Sequence, residues 1–188
     1  MTTRGPWQIL SEHKVHESPW IRIDHYDVIT PAGTNGTYTT VDFKNWAIGI
    51  IPIDDEGYTY IVGQYRFPLQ DYSWEIPEGG GAKNTTLLAS AQRELLEETG
   101  IHAKHWEMIY EFHTSNSVTN ERAFIFLATD LEFGLAQPEE TEQLSLRRIP
   151  FQELVTMVYN NEIKDSLTVI AVLVADNIMR QRALSTST

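Results

Sequence analysis

The sequence predicts an α+β protein with a mixed central sheet and several helices. Residues 46–53 form a nearly continuous apolar run, which is typical of a strand buried on both faces. Residues 20–43 alternate apolar and polar residues around a Pro/Gly/Asn turn cluster, which predicts an antiparallel hairpin. Apolar residues at helical spacing predict three helices: one that contains Leu87 to Leu95 and ends at Gly100, one at 151–159 and one at 165–184.

Shorter patterns predict the remaining elements. Residues 7–15 alternate weakly and predict a first strand, and the turn at 54–57 leads into residues 58–65, which predicts a second hairpin within the central sheet. Further strands are expected at 105–113, 121–128 and 143–149. Asp165 is expected to cap the last helix. The apolar face of that helix is predicted from Leu167, Ile170, Ala171, Val174 and Ile178.

Composition and charge exclude several classes of function. The chain has 188 residues, enough for one domain with a substantial core, and a formal net charge of −12, which argues against a nucleic-acid-binding surface. The absence of cysteine excludes disulfides, thiolate catalysis and zinc–sulfur sites. No long apolar run and no apolar signal segment follows Met1, so we expect a cytoplasmic protein without a membrane partner. The six histidines show no spacing typical of metal ligands.

Residues 74–101 carry the densest group of candidate functional residues. The segment passes from an apolar strand end through three glycines into a helix that Gly100 is expected to end. On this helix Glu94, Glu97 and Glu98 stand at i, i+3 and i+4 and therefore point to one side. Crowded carboxylates repel one another, and a hard divalent cation such as Mg²⁺ would neutralise them. The opposite side is expected to be buried through Leu87, Leu88, Ala91 and Leu95.

A solvated acidic face on a surface helix is the alternative interpretation. Arg93 lies four residues before Glu97 and can hold one carboxylate in place. The glycine loop also leads directly into a helix N-terminus, which favours anions. The spacing alone therefore leaves metal binding and a solvated face about equally supported.

The same residues resemble the Nudix box. Gly79, then Thr85 after five residues, then the run Arg93-Glu94-Leu95-x-Glu97-Glu98-x-Gly100-Ile101 after seven more match its positions. The one departure is Thr85, where the family usually has Glu. The resemblance implies an α/β/α sandwich with a catalytic loop and helix, and Mg²⁺ bound by Glu94, Glu97 and Glu98, with Mn²⁺ able to replace it. It also implies an N-terminal strand region at 1–44 and a Nudix hydrolase domain at 45–188.

Two adjoining segments resemble the ADP-ribose pyrophosphatase branch, which hydrolyses nucleoside diphosphate sugars. In this branch an arginine precedes a Glu-x-Pro-x-Gly segment, and Arg66 and Glu75 occupy those positions here. The resemblance implies that Arg66 binds the substrate diphosphate, for which its planar fork is suited, and that Glu75 orients it. It also implies that Glu78 binds metal through its backbone carbonyl. A purely structural ion pair is the alternative for Arg66.

The N-terminal strands of this branch form a two-fold dimer, which implies a homodimer here. By position, Trp20 and Tyr38 would stack on the nucleobase, although ordinary packing is the alternative. Ser117 lies in a Ser-Asn-Ser loop where ADP-ribose enzymes carry a proline, and it is a substrate-binding candidate. Because of this departure, nucleotide sugars other than ADP-ribose stay open as substrates.

The acidic segment 138–142 is the last candidate. The family places a mobile glutamate loop here, so that Glu140 corresponds to the general base and Glu142 to a further metal-binding carboxylate; a solvated loop is the alternative. The implied reaction is hydrolysis of substrates such as ADP-ribose, ADP-glucose and GDP-mannose to a nucleoside monophosphate and a sugar phosphate, with Glu140, Arg93 and Glu97 as catalytic residues. Two alternatives stay open: another Nudix reaction (on a dinucleotide, coenzyme A or a nucleoside triphosphate), or a Nudix-fold sensor that binds nucleotide sugars without hydrolysing them.

Overall fold

A computed structural model describes residues 2–135 and 144–185 of the chain. The strands within these residues are β1 (Thr2–Arg4), β2 (Trp7–Glu17), β3 (Ile21–Ile29), β4 (Asn35–Phe43), β5 (Asn45–Pro52), β6 (Tyr58–Arg66), β7 (Asp71–Glu75), β8 (Glu78–Ala82), β9 (Ile101–His113), β10 (Arg122–Phe133) and β11 (Ser145–Pro150). The helices are α1 (Leu87–Thr99), α2 (Phe151–Tyr159) and α3 (Ser166–Ser185). None of the helices in the described part of the chain has the length and apolar character needed to cross a membrane.

The strands form three sheets that combine parallel and antiparallel pairs. Strands β1 to β4 form one sheet in sequence order, and the second sheet has the order β8-β5-β10-β9. Within the second sheet β5 and β10 run parallel, from the pair Ala47 and Ala123 to the pair Pro52 and Ala128. The third sheet, β11-β6-β7, is antiparallel. Mixed sheets with three helices confirm the predicted α+β class.

The structure confirms one predicted hairpin and corrects the other. Strands β3 and β4 pair antiparallel from Ile21 opposite Phe43 to Ile29 opposite Asn35. The predicted pairing of β5 with β6 is wrong. An isolated bridge between Ile53 and Thr59 closes the turn, but the two strands belong to different sheets. Strand β5 already has β8 on one edge and β10 on the other, so no edge remains for β6.

The helices follow the predicted positions. On α1, Ala91 and Leu95 are buried as expected, whereas Leu88 is exposed. The buried face of α3 also differs from the prediction. Leu167 and Ala171 are buried as expected, whereas the other buried positions are Thr168, Val172, Ala175 and Asp176. Two of these are polar and find hydrogen-bond partners. Thr168 Oγ1 accepts from Ile76 N at 3.0 Å, and Gln152 Nε2 donates to Asp176 Oδ1 at 3.2 Å. Apolar spacing alone could not indicate a buried face that includes them.

Chain contacts divide the protein into two compact units. The first contains the residues up to Trp46 together with His113–Arg122, and the second contains Ala47–Phe112 and the residues from Ala123 onward. The sequence-based boundary at residue 44 stays a prediction, and it did not place the segment 113–122 with the N-terminal strands. In the second unit the core is formed by apolar residues of β5, β6, β10, α2 and α3, such as Ile51, Ile61, Ile125, Leu154 and Ala171.

Candidate active site

Helix α1 is held at both ends by local hydrogen bonds. Thr86 precedes the helix in an extended conformation, and its side chain accepts a hydrogen bond from Ala89 N at 3.1 Å. Gly100 has φ 71°, which glycine adopts without strain, and its N–H donates to Leu96 O at 2.8 Å. These caps place the glutamates of the helix at fixed positions relative to the preceding glycine loop.

Two of the three helix glutamates are buried. Glu94 is 8% exposed and Glu98 is 4% exposed, whereas the side chain of Glu97 is 31% exposed. A solvated acidic face would leave all three in water. Since burying a carboxylate is costly unless it is paired, these residues require partners in the fold.

Arg93 and the glycine loop supply such partners. The guanidinium of Arg93 donates to Glu94 Oε1 at 2.6 Å, to Glu97 Oε2 at 2.6 Å and to Gly80 O at 2.9 Å. One side chain therefore fixes two carboxylates and ties the loop to the helix. The charges of Glu94 and Glu97 raise the pKa of Arg93 even though burial acts in the opposite direction.

Gly79 and Glu78 bring the loop against the remaining carboxylates. A Cβ atom at Gly79 would overlap the carboxylate of Glu94, so that only glycine allows this close approach. The backbone N–H of Glu78 donates to Glu98 Oε2 at 3.0 Å. The glycine loop thus contacts two of the motif's glutamates, Glu94 through Gly79 and Glu98 through the backbone of Glu78.

Thr85, the departure from the motif, serves the turn before α1. Its hydroxyl donates to Ala82 O at 2.9 Å and lies 3.1 Å from the hydroxyl of Ser90. Thr85 therefore stabilises the local backbone through hydrogen bonds that a glutamate side chain would not reproduce.

Arg66 and Glu75 form a second charged group beside the loop. Arg66 Nε donates to both carboxylate oxygens of Glu75 at 3.0 Å, and its Nη2 donates to Glu75 and, at 3.0 Å, to Glu78 Oε1. Glu75 is buried, while about a third of the Arg66 side chain is exposed. Glu75 therefore holds the Arg66 guanidinium in one orientation, and Arg66 presents its outer part to solvent.

Asp165 joins this group, which sequence reasoning missed. Its carboxylate caps α3, as predicted, by accepting from Thr168 N at 2.7 Å. Oxygen atoms of Glu75, Glu78 and Asp165 also all lie within 4.8 Å of one another. They border a cavity of about 520 Å³ that Arg66 and Lys164 also line. A cap is itself a sufficient explanation for an aspartate before a helix, so the sequence carried no signal of this second contact.

The surroundings of Glu78 change the proton affinity of its carboxyl group. Burial raises the pKa of Glu78 well above its usual value, and the charges of Asp165 and Glu75 add to this effect. Burial alone would lower the pKa of Arg66, but the hydrogen bond to Glu75 and the three nearby carboxylates raise it. Arg66 therefore stays charged.

The donor atoms of this region fit a hard divalent cation. Apart from the guanidinium groups, the candidate ligands are carboxylate and carbonyl oxygens, which are the ligands that Mg²⁺ prefers. Glu78 Oε2 is buried and has no hydrogen-bond partner among the described residues. An unpaired buried carboxylate oxygen is the kind of atom that a bound cation would satisfy.

The remaining predicted residues belong to the first unit or to the segment outside the described residues. In the first unit, Tyr38 donates its hydroxyl to Ser117 O, and its ring packs edge-on against Trp7 with centroids 5.4 Å apart. Trp20 is 68% exposed. The structure thus brings Tyr38 and Ser117 together. Glu140 and Glu142 lie outside the described residues.

Comparisons with known proteins identify relatives over much of the chain. The NUDIX domain model matches residues 44–169. The methanol dehydrogenase activator of Bacillus methanolicus is 34% identical, over 81% of this chain and 83% of its own. The ADP-ribose pyrophosphatase of Bacillus subtilis is 32% identical, over 67% of this chain and 69% of its own. A crystal structure of an ADP compounds hydrolase has a similar fold, with a TM-score of 0.84, 20% identity and coverage of 94% and 95% of the two chains.

Proposed function

The chain belongs to the NUDIX family, and from this premise we propose that it hydrolyses the diphosphate bond of nucleoside diphosphate sugars. The products are a nucleoside monophosphate and a sugar phosphate. The observation that carries the proposal is the burial of Glu94 and Glu98 against the glycine loop, with Arg93 fixing Glu94 and Glu97. The ADP-ribose pyrophosphatase relatives support this substrate class.

We propose that the metal ion is Mg²⁺, with Mn²⁺ as a substitute. The groups that would hold it are the side chains of Glu94, Glu97, Glu98 and Glu142 and the backbone carbonyl of Glu78. When bound, such an ion polarises phosphate oxygens and lowers the pKa of a bound water. Hydrogen bonds from Arg93 keep the carboxylates of Glu94 and Glu97 in position before substrate arrives, which limits reorganisation during the reaction.

Arg66 and the acidic segment 138–142 are proposed to bind the substrate and to move a proton. The double hydrogen bond to Glu75 holds the Arg66 guanidinium in one orientation, so its exposed part can bind the substrate diphosphate. We propose Glu140 as the general base that removes a proton from the attacking water.

We further propose that the protein is a cytoplasmic homodimer that assembles through its N-terminal strands. Trp20 and Tyr38 would stack on the nucleobase, and Ser117, whose carbonyl accepts from the Tyr38 hydroxyl, would support this contact. Aromatic stacking tolerates different bases, which is consistent with a range of nucleotide sugars.

The test is turnover of the purified protein with Mg²⁺ against ADP-ribose, ADP-glucose, GDP-mannose, UDP-glucose, NADH and a nucleoside triphosphate. We expect metal-dependent cleavage of at least one nucleotide sugar, and a lower rate with NADH and the triphosphate. Glu98→Gln should abolish turnover, whereas Glu107→Gln, which changes an exposed carboxylate paired with Arg182, should not. Binding of nucleotide sugars without products would favour the sensor, and preference for the triphosphate would favour another Nudix reaction.

A further inference from the structure

Two histidines that are far apart in sequence lie side by side in the first unit. His13 on β2 is directly opposite His25 on β3, and His25 is directly opposite Thr39 on β4. Directly opposite residues of antiparallel strands point to the same face, with Cβ atoms roughly 4.5–5.5 Å apart. The pairing register therefore creates a histidine pair that a separation of twelve positions did not indicate.

Side-chain hydrogen bonds confirm this arrangement on the same face. Ser11 and Asp27 form the neighbouring pair in the register, and Ser11 Oγ donates to Asp27 Oδ2 at 2.5 Å. His25 Nδ1 lies 2.9 Å from Thr39 Oγ1. Since both contacts join register partners, the side chains of this face meet across the strands as the backbone pairing requires.

The same hydrogen bonds define which ring nitrogens can bind a ligand. Ser11 gives its only hydroxyl hydrogen to Asp27, so the contact between Ser11 Oγ and His13 Nε2, at 3.2 Å, requires His13 to donate. The lone pair of a neutral His13 ring is then on Nδ1. For His25, the tautomer that donates from Nδ1 to Thr39 Oγ1 carries its lone pair on Nε2.

This pattern is typical of histidines that bind metal ions. A metal-binding imidazole commonly donates its other N–H to an oxygen atom, which fixes the ring and its tautomer. Thr39 takes this role for the His25 tautomer that carries its hydrogen on Nδ1. Ser11, which is itself bonded to the carboxylate of Asp27, takes it for His13. The anionic chain, with a net charge of −12, also favours accumulation of cations.

We propose that His13 and His25 form a chelating site for a divalent transition metal ion of the Zn²⁺, Ni²⁺ or Cu²⁺ class. Imidazole nitrogen prefers these ions, whereas Mg²⁺ prefers oxygen ligands. The site is thus chemically distinct from the carboxylate groups of the second unit and does not depend on the proposed hydrolysis. Two protein ligands leave the other coordination positions to water, so the bound ion is exchangeable.

The test is calorimetric titration of untagged protein with ZnCl₂ in excess Mg²⁺, which occupies the carboxylate sites. We expect one Zn²⁺ per chain, and an increase in Kd of at least about tenfold in either His13→Gln or His25→Gln, because each removes one of two ligands. Thr39→Val should weaken binding by roughly tenfold through the ring orientation alone. The matched control is His105→Gln, which changes an exposed histidine of the second unit.

A measurement on the unmodified protein keeps the test independent of any folding defect. Substoichiometric Cu²⁺ should broaden the ring-proton NMR signals of His13 and His25 and leave those of His102 and His105 sharp. Equal broadening of all histidines, undiminished Zn²⁺ binding in the double variant, or loss of binding in only one of the single variants would overturn the proposal.

Discussion

Thr168→Val tests how α3 supports the loop that leads into the candidate active site. Thr168 is fully buried, and its hydroxyl accepts the hydrogen bond of Ile76 N at 3.0 Å. Valine has nearly the same shape but no acceptor, so the N–H of Ile76 would stay buried and unpaired. Such a group costs about 1–3 kcal/mol. For a chain of this length, that loss corresponds to a decrease in Tm of roughly 2–12 °C.

The assay is urea unfolding at neutral pH, with Thr156→Val as the matched control. Thr156 donates to Gln152 O on an exposed part of α2, so its replacement should change the free energy of unfolding by less than about 0.5 kcal/mol. Because Ile76 lies between Glu75 and Glu78, Thr168→Val should also lower kcat. A loss of stability no larger than that of the control would refute the reasoning, since the buried hydrogen bond would then contribute nothing.

Three further substitutions probe the site itself. Gly79→Ala should reduce turnover by about 100-fold, because the added methyl group displaces the Glu94 carboxylate, and wild-type rates would contradict this account. Arg66→Lys should lower kcat/KM for nucleotide sugars by roughly tenfold, since lysine cannot keep the double hydrogen bond to Glu75; steady-state kinetics measures it, and an unchanged value would exclude a role for the guanidinium geometry. Glu78→Gln should raise the free energy of unfolding at about pH 8 and leave it nearly unchanged at about pH 4. Burial penalises only the ionised form of Glu78 and so raises its pKa in the folded protein. In the unfolded chain the carboxyl group ionises above its ordinary pKa of 4.5, so the free energy of unfolding of the wild type falls as the pH rises above that value. Urea unfolding with a chelator at both pH values measures this, and a gain that is larger at low pH would contradict it.

The sequence predicted the functional helix well because its determinants are local. The spacing of Glu94, Glu97 and Glu98 and the ending at Gly100 depend on residues within a few turns of one another. Burial of Glu94 and Glu98 did not follow from the spacing, since it requires the glycine loop to approach the helix. The motif therefore located the three glutamates on one helix, and the tertiary structure shows how two of the carboxylates come to be buried.

Contacts between distant segments were the part that the sequence could not supply. Asp165 lies close to Glu75 and Glu78 although ninety residues separate Asp165 from Glu75, and helix capping alone already explained it. The histidine pair depends on the register of β2 and β3. The weak alternation of apolar and polar residues in β2 does not determine this register, and the pairing contains two irregularities. The error in pairing β5 with β6 has the same origin, because a short turn indicates proximity but not which sheet each strand joins.

The most direct test of the proposed activity is ³¹P NMR of ADP-ribose incubated with the wild-type protein and Mg²⁺, with Glu97→Gln as the comparison. The account predicts that the diphosphate signals are replaced by those of AMP and ribose 5-phosphate in equal amounts with the wild type only. Because Arg93 holds Glu97 at the exposed side of α1, the variant should remain folded and inactive. Equal product formation by both proteins, or by neither with any nucleotide sugar, would contradict the assignment of this helix as the centre of hydrolysis.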